Sequence, residues 1–224
     1  MARTNRVLIA LTSHDKLGDT GNPTGYYVPE AAHPWQVFRL AGYEVDYVSV
    51  KGGNPPTSGY DADDEVQRLF LESEGARLAA TPKAAELNAA DYDAIFYAGG
   101  HGTMWDFPTD ADLAELGRDI YENGGVVAAV CHGPAGLVPL VLSDGTPLVA
   151  GKDITGFTNS EEEAAGATHI VPFLLQTKLE ELGARYHVAP DFASNVVRDG
   201  RLVTGQNPAS ATGTAQGVLS ALKG

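Results

Sequence analysis

Residues 124–137 read Gly-Gly-Val-Val-Ala-Ala-Val-Cys-His-Gly-Pro-Ala-Gly-Leu, and this segment decides the fold. The apolar run at 126–130 is typical of a strand that is buried on both faces of a parallel sheet. Gly133 and Pro134 end the strand, and proline fits the first turn of a helix. Cys131, the only cysteine of the chain, is therefore expected at a tight corner between a strand and a helix.

This corner has the pattern of a nucleophile elbow, in which small residues flank the nucleophile, here Ala129 and Gly133. Small flanks are needed because the corner forces a cramped backbone conformation, where bulky neighbours would clash. The N–H groups at the start of the following helix would face the sulfur and favour the thiolate. The pattern favours a nucleophilic Cys131 over the usual role of a lone free cysteine, which is a small buried hydrophobic residue.

Composition limits the class of protein. The chain has 224 residues, of which 43% are hydrophobic, so we expect one domain spanning residues 1–224 with a sizeable core. A net charge of −14 disfavours nucleic acid and anionic membranes as partners. A single cysteine cannot form an internal disulfide and suits a reducing compartment, so we expect a cytoplasmic protein. The apolar run at 7–11 is too short for a signal peptide or a membrane span.

Strand and helix patterns alternate along the chain. Strands are predicted at 7–11, 43–50, 93–98, 126–130, 148–149, 153–157, 185–188, 195–197 and 201–205, and the main helices at 34–41, 61–80, 110–123, 160–182 and 210–222. This alternation predicts an α/β fold of the flavodoxin-like kind, with a mainly parallel sheet and helices on both faces. Active sites in such sheets lie at the carboxyl ends of the strands. The loops around Glu30, Gly100 and Cys131 each follow a strand and are expected to meet in one crevice.

A run of small residues around one histidine directly follows the strand at 93–98: Gly99, Gly100, His101 and Gly102. Their N–H groups carry little side-chain cover and, together with the His132 N–H, would form an oxyanion hole beside Cys131. The alternatives are a flexible turn and a phosphate-binding loop. The spacing differs from dinucleotide-binding and P-loop motifs, so no cofactor is predicted.

Among the histidines, His132 is the candidate general base, although a residue adjacent to a nucleophile need not point at it. The alternative for His132 is a solvent-facing position at the start of a helix. His101 is expected to shape the pocket. The remaining histidines show no paired spacing with cysteine or carboxylates, so no metal site is predicted; they are His14, His33, His169 and His187.

Glutamates supply the candidate acids. Glu30 lies among alanines, tyrosines and a proline, where a buried carboxyl would have a raised pKa and stay protonated. It would then donate a hydrogen bond to a thiolate or move protons on a substrate; the alternative is a solvated helix start. The run 161–163 is most simply the acidic first turn of a helix that Ser160 caps, although one of its glutamates could orient His132.

Several segments resemble the ThiJ/PfpI superfamily. They are Gly-Tyr-Tyr-Val-Pro-Glu-Ala-Ala-His-Pro at 25–34, Ala-Gly-Gly-His-Gly-Thr-Met-Trp-Asp-Phe-Pro at 98–108, Ala-Val-Cys-His-Gly-Pro-Ala-Gly-Leu at 129–137, Gly-Phe-Thr-Asn-Ser-Glu-Glu-Glu at 156–163 and Thr-Gly-Gln-Asn-Pro-Ala-Ser at 204–210. Within the superfamily they are similar to the branch of heat-shock-type chaperones and glutathione-independent glyoxalases.

This resemblance implies a flavodoxin-like sandwich in which Cys131 is the nucleophile, His132 lies beside it and Glu30 is hydrogen-bonded to the sulfur. The third member of the catalytic triad follows the Gly-Phe-Thr segment and aligns with Glu162, while a slip of one residue would give Glu161. The resemblance also implies a homodimer.

Three functions are compatible with these residues. The first is a cofactor-free enzyme of the glyoxalase III type, which turns a small reactive aldehyde, methylglyoxal, into lactate under stress through attack by Cys131. The second is an amidase or peptidase, since an elbow nucleophile beside a histidine serves acyl transfer equally well. The third is a non-enzymatic stress chaperone or redox sensor in which Cys131 is oxidised reversibly.

Overall fold

A computed structural model describes residues 4–224, and a six-stranded sheet lies at its centre. The strands in this range are β1 (Arg6–Leu11), β2 (Tyr26–Tyr27), β3 (Glu44–Ser49), β4 (Thr57–Ser58), β5 (Ala94–Tyr97), β6 (Val126–Val130), β7 (Asp153–Ile154), β8 (Arg185–Tyr186), β9 (Val196–Asp199) and β10 (Leu202–Gly205). The central sheet has the order β3-β1-β5-β6-β10-β9, in which only β9 runs antiparallel. The α/β fold with a mainly parallel sheet is thus confirmed.

Helices connect the parallel strands. Those within residues 4–224 are α1 (Val28–Leu40), α2 (Glu65–Leu78), α3 (Thr103–Asp106), α4 (Ala111–Glu122), α5 (Asn159–Ala164), α6 (Leu175–Glu181) and α7 (Ala211–Lys223). Helix α1 packs against α2 and α7, and α7 also contacts β6 and β10, while α4 contacts β5 and β6. None of the helices in the described range combines the length and the apolar character that crossing a membrane requires.

The core lies on both faces of the sheet. Val7 to Leu11 of β1 are completely buried, and every residue of β5 and β6 is buried as well. Successive side chains of a strand point to opposite faces, so a strand that is buried throughout must be covered on both sides. In the sequence, the uninterrupted apolar runs of these strands indicate that both faces of the sheet are covered.

Helix α1 begins six residues earlier than predicted, at Val28 instead of Pro34. Pro29 occupies the first turn, where the missing N–H of proline costs no hydrogen bond. Pro34 lies inside the helix and did not mark its start. Glu30 therefore lies in the first turn of α1 and not in a loop before it.

The segment after the elbow is also shorter than expected. Gly133–Leu137 form a 3-10 helix of five residues in place of the start of a longer α-helix. A side chain at Gly136 would overlap the ring of Tyr97, so the close approach of β5 requires glycine there. Glycine and proline are the weakest helix formers, which explains why no long helix forms.

The segment between the elbow and the final hairpin contains less strand than predicted. Residues 148–149 form a turn, and the strand predicted at 153–157 is limited to β7. Strand β7 pairs in parallel with β8 in a separate two-stranded sheet. Residues 155–157 instead run back toward the elbow, where the Phe157 N–H donates to the Cys131 carbonyl at 2.8 Å.

Candidate active site

Cys131 lies at the carboxyl end of β6 with a left-handed backbone conformation, φ 59°. This conformation costs a non-glycine residue about 1–3 kcal/mol and persists only where the surroundings hold it. The Cys131 N–H donates to the Gly205 carbonyl at 2.9 Å. A side chain at Gly133 would overlap the Tyr97 carbonyl, so the chain can turn here only with glycine. The backbone has the strained geometry of a nucleophile elbow.

His132 connects the sulfur to a carboxylate. Its Nδ1 atom lies 3.4 Å from Cys131 Sγ, and its Nε2 atom lies 2.7 Å from Glu162 Oε2. The second oxygen of Glu162 lies 2.9 Å from His101 Nε2. His132 and Glu162 are both buried, so this chain of contacts is shielded from water. The structure therefore brings together three segments that lie far apart in the sequence, which carry His101, the adjacent pair Cys131 and His132, and Glu162.

The protonation states of this group follow from its hydrogen bonds. Burial raises the pKa of Glu162, but the bonds from His101 and His132 outweigh it and lower the pKa to about 2. An ionised carboxylate only accepts hydrogen bonds, so both histidines carry their proton on Nε2. Burial and the neighbouring His101 lower the pKa of His132, which keeps this ring neutral. The unprotonated Nδ1 atom of His132 thus faces the sulfur and can accept its proton.

The two candidate glutamates have different surroundings. Glu162 points toward the histidines, whereas Glu161 is completely buried on another side of α5 and is not in contact with His132. Glu161 accepts hydrogen bonds at 2.8–3.1 Å from three separate segments of the chain. Its donors are the N–H and hydroxyl of Thr158, the side-chain amides of Gln206 and Asn207, and the N–H of Phe192.

We expect Glu161→Gln to destabilise the fold. A carboxylate accepts all of these bonds, whereas an amide turns one acceptor into a donor that faces other donors. Each buried group left without a partner costs about 1–3 kcal/mol in the free energy of unfolding. Urea unfolding measures the loss. Glu163→Gln is the matched control because Glu163 is exposed, and equal effects of the two substitutions would contradict the buried role of Glu161.

Glu30 approaches the sulfur from α1. Its carboxyl is completely buried, and within residues 4–224 neither oxygen has a hydrogen-bond partner of normal geometry. The Cys131 thiol and the Gly99 N–H face it, and a side chain at Gly99 would overlap the carboxyl. Burial raises the pKa of Glu30 to about 8, and these two groups lower it only in part. Glu30 is therefore a protonated carboxylic acid at neutral pH.

The direction predicted for the pKa of Cys131 is wrong. Burial, followed by the Glu30 carboxyl, raises the pKa of the thiol well above its usual range, and the His132 N–H lowers it only in part. The prediction rested on the partial positive charge of the N–H groups at the start of the following helix. Cys131 is, however, only 4% exposed, beside a second acidic group. The two groups titrate as a coupled pair that retains its protons at neutral pH.

The glycine loop lies against the segment that leads into α1. Gly100 has φ 108°, a conformation that favours glycine, and a side chain there would overlap the Gly25 carbonyl. The Tyr27 N–H donates to the Gly99 carbonyl at 2.9 Å, which joins the two segments. The segments around Glu30, Gly100 and Cys131 lie against one another, with Glu30 in the first turn of α1 and not in a loop, and the Gly99 N–H is directed at Glu30.

The same cluster is where a metal ion would find ligands. Single ligand atoms of His101, His132 and Glu162 lie within 4.8 Å of one another. The sequence prediction of no metal site overlooked this group, because the three residues come from three separate segments, the glycine loop, the elbow and α5. Both histidine Nε2 atoms are engaged with Glu162. An ion would therefore have to displace both protons to bind.

Sequence reasoning missed two contributions to this site. It placed His101 in the pocket without linking it to Glu162, and it gave Phe157 no role. The Phe157 ring lies 4.3 Å from the ring of His132, centre to centre. The position of Phe157 inside the Gly-Phe-Thr segment was the available signal, since that segment also supplies Glu162.

The chain was compared with known families and proteins. The profile described as the DJ-1/PfpI family matches residues 25–221. Glutathione-independent glyoxalase HSP31 of Saccharomyces cerevisiae is 41% identical over 240 residues, which cover 97% of this chain and 98% of the yeast protein. Glyoxalase 3 of Candida albicans is 39% identical, with coverage of 97% and 98%.

A solved structure shows similarity to the same group of proteins. The crystal structure of glyoxalase III from Candida albicans superimposes with a TM-score of 0.90 at 36% identity and covers 98% of both chains. This TM-score and coverage show that the two proteins share the same fold.

Proposed function

This chain belongs to the DJ-1/PfpI family, and we propose that it is a glutathione-independent glyoxalase that converts methylglyoxal to lactate. One observation carries the proposal: a proton acceptor and a proton donor face one sulfur, His132 Nδ1 at 3.4 Å and the buried, protonated carboxyl of Glu30. Acyl transfer needs only one base at the nucleophile. A second, acidic group suits the transfer of a proton between two carbons. The similarity to the yeast and Candida glyoxalases supports the same activity.

The first step joins substrate and enzyme. The sulfur of Cys131 attacks the aldehyde carbon C1, and the thiol proton passes to Nδ1 of His132. Glu162 stabilises the imidazolium that forms, since it already accepts the Nε2 proton. The proton then moves to the new C1 oxyanion, which lies beside the N–H groups of the glycine loop. The product is a hemithioacetal on Cys131.

The second step moves hydrogen from C1 to C2. Neutral His132 takes the C1 hydrogen as a proton, while protonated Glu30 gives its proton to the C2 oxygen, so that an enediol forms. His132 then returns its proton to C2, and Glu30 recovers one from the C1 hydroxyl. The result is a thioester of lactate, and both residues have regained their starting protonation states.

The third step releases the product. Neutral His132 takes a proton from the water that attacks the thioester carbon, the C–S bond breaks, and His132 passes that proton to the departing sulfur. Lactic acid leaves and ionises, so the sum of the steps is methylglyoxal plus water to lactate and a proton. Carbon C1 is oxidised and C2 is reduced within one molecule, which is why the reaction needs no external oxidant or reductant.

The family resemblance supports a homodimer as the working form. The single cysteine supports a reducing compartment, and we propose the cytoplasm. The molecule that binds at this site is a small reactive aldehyde, and we expect no macromolecular substrate.

Isotopes test the hydrogen transfer. Methylglyoxal deuterated at C1 is expected to react more slowly than the unlabelled aldehyde wherever C–H cleavage limits the rate. In D₂O, unlabelled methylglyoxal should give lactate that carries deuterium at C2 if the proton exchanges on His132 before it returns. Proton NMR of the lactate measures both the yield and the label.

The same assay separates the alternatives. Loss of methylglyoxal without lactate would mean simple trapping of the aldehyde by the thiol, and the isomerising route would be wrong. Cleavage of amides or peptides without action on 2-oxoaldehydes would instead assign the Cys131–His132–Glu162 arrangement to an amidase or peptidase. Neither of those reactions breaks a C–H bond at C1.

A further inference from the structure

Phe192 has an unusual backbone for its side chain. Its φ is 60°, in the left-handed region that bulky residues avoid, and its side chain is 51% exposed. In the described range, only two other non-glycine residues have positive φ, Asn5 and the nucleophile Cys131. Asparagine tolerates this conformation, so the two strained positions are Cys131 and Phe192. Such strain collects at active sites and ligand clamps.

Buried groups hold this conformation. The Phe192 N–H donates to Glu161 at 2.8 Å, and the Asn207 side-chain amide donates to the Ala193 carbonyl at 2.7 Å. Glu161 and Asn207 are completely buried and bonded to each other. The loop at 190–193 is thus anchored to the helix that carries Glu162. Its aromatic ring is exposed although its backbone is fixed.

The ring of Phe192 is linked to the catalytic histidine through one other ring. Phe192 packs edge-on against Phe157, with ring centres 6.3 Å apart at 60°. Phe157 in turn lies 4.3 Å from the His132 ring and 6.1 Å from the His101 ring. Phe157 is only 5% exposed, whereas Phe192 on its other side is open to solvent and ligands.

We propose that Phe192 determines substrate specificity: with the edge of Phe157 it forms an apolar subsite at the mouth of the active site, which takes the substituent on C2 of aromatic and larger apolar 2-oxoaldehydes. This inference rests on the proposed function. Sulfur bonds to C1, so the substituent on C2 lies farther from Cys131 than C1 does. A phenyl ring on C2 extends farther from the sulfur than the methyl group of methylglyoxal does, so the phenyl ring is the substituent that would pack against Phe192.

The test compares two substrates and two variants. Initial rates with methylglyoxal and phenylglyoxal are measured for the wild type, Phe192→Ala and Leu40→Ala. Leu40 is the matched control because it is an exposed apolar residue at the far end of α1. We expect Phe192→Ala to lower kcat/KM for phenylglyoxal about ten-fold and leave that for methylglyoxal within two-fold, which is the scale of a lost apolar contact in a pocket.

A third variant separates specificity from folding. Glycine adopts positive φ without strain, so Phe192→Gly should melt no lower than the wild type while it loses the preference for phenylglyoxal. Conversion of both aldehydes with an unchanged ratio in Phe192→Ala and Phe192→Gly would overturn the subsite alone. Failure of the wild type to convert either aldehyde would overturn the proposed function and the subsite with it.

Discussion

Cys131→Ala is expected to abolish lactate formation from methylglyoxal, with a loss of at least about 10⁴-fold in kcat, the scale seen when a nucleophile is removed. Every covalent step of the proposed reaction uses the sulfur, and the described part of the chain offers no second thiol. His132 and Glu162 would remain in contact in the variant. Without the thiol, however, His132 would have no thiol proton to accept. Coupled measurement of aldehyde loss and lactate yield gives the result.

A folding control accompanies this variant. Cys131 has φ 59°, so Cys131→Gly relieves the strained backbone that Cys131→Ala retains. Both variants should be equally inactive, and Cys131→Gly should be at least as stable as Cys131→Ala in thermal unfolding. Lactate formation by either variant at a rate near that of the wild type would remove Cys131 from the mechanism.

Glu30→Gln is expected to keep the fold and lose most of the turnover, about 10²–10⁴-fold, which is the usual contribution of a general acid or base. The amide resembles the protonated carboxyl in shape and can donate a hydrogen bond, but it cannot release and recover a proton. Wild-type kcat/KM should fall above pH 8, where Glu30 loses its proton. The residual activity of the variant should lack that alkaline decline.

The pH dependence of stability is an independent test of the protonation state of Glu30. Its pKa is about 8 in the folded protein, above the usual value of a free glutamate, because burial disfavours the charged form. The folded state therefore binds this proton more tightly, and stability is lost as the pH rises toward 8. Glu30→Gln has no such proton, so its stability relative to the wild type should increase between about pH 5 and pH 8.

Glu74→Gln is the control for both readings, because Glu74 is a buried glutamate of α2 that pairs with Arg77 at 3.1 Å and does not face the sulfur. It should leave kcat unchanged. If Glu30→Gln turned over methylglyoxal as fast as the wild type, Glu30 would have no part in proton transfer. A pH-independent stability difference would show that the carboxyl is not protonated in the fold.

The elbow could be predicted from the sequence because its causes are local. The run at 126–130 is apolar at every position, which a strand buried on both faces requires. Gly133 then allows a turn that no other residue permits beside the Tyr97 carbonyl. Strand and corner follow from neighbouring residues and from backbone sterics, so Cys131 could be predicted as the nucleophile without knowledge of the rest of the molecule.

The sequence identified the candidate acidic residues of the site, but it could not decide which role each of them has. Glu161 and Glu162 are adjacent, and the side chains of adjacent residues on a helix point in directions about 100° apart around its axis. Only the position of α5 against the elbow decides that Glu162 contacts His132 while Glu161 contacts Asn207. For Glu30, sequence left burial and solvation equally open. Helix α1 begins earlier than predicted, and this places the carboxyl of Glu30 against the sulfur of Cys131.

Charge and access were decided by the tertiary structure alone. The helix after the elbow suggested a lowered pKa for Cys131, but the folded chain buries the sulfur and places Glu30 beside it, and both raise that pKa. Phe192 gave no signal in the sequence, since its φ and its contact with Phe157 depend on a loop that Glu161 anchors. Desolvation and long-range contacts depend on residues distant in the chain, so no local pattern could specify them.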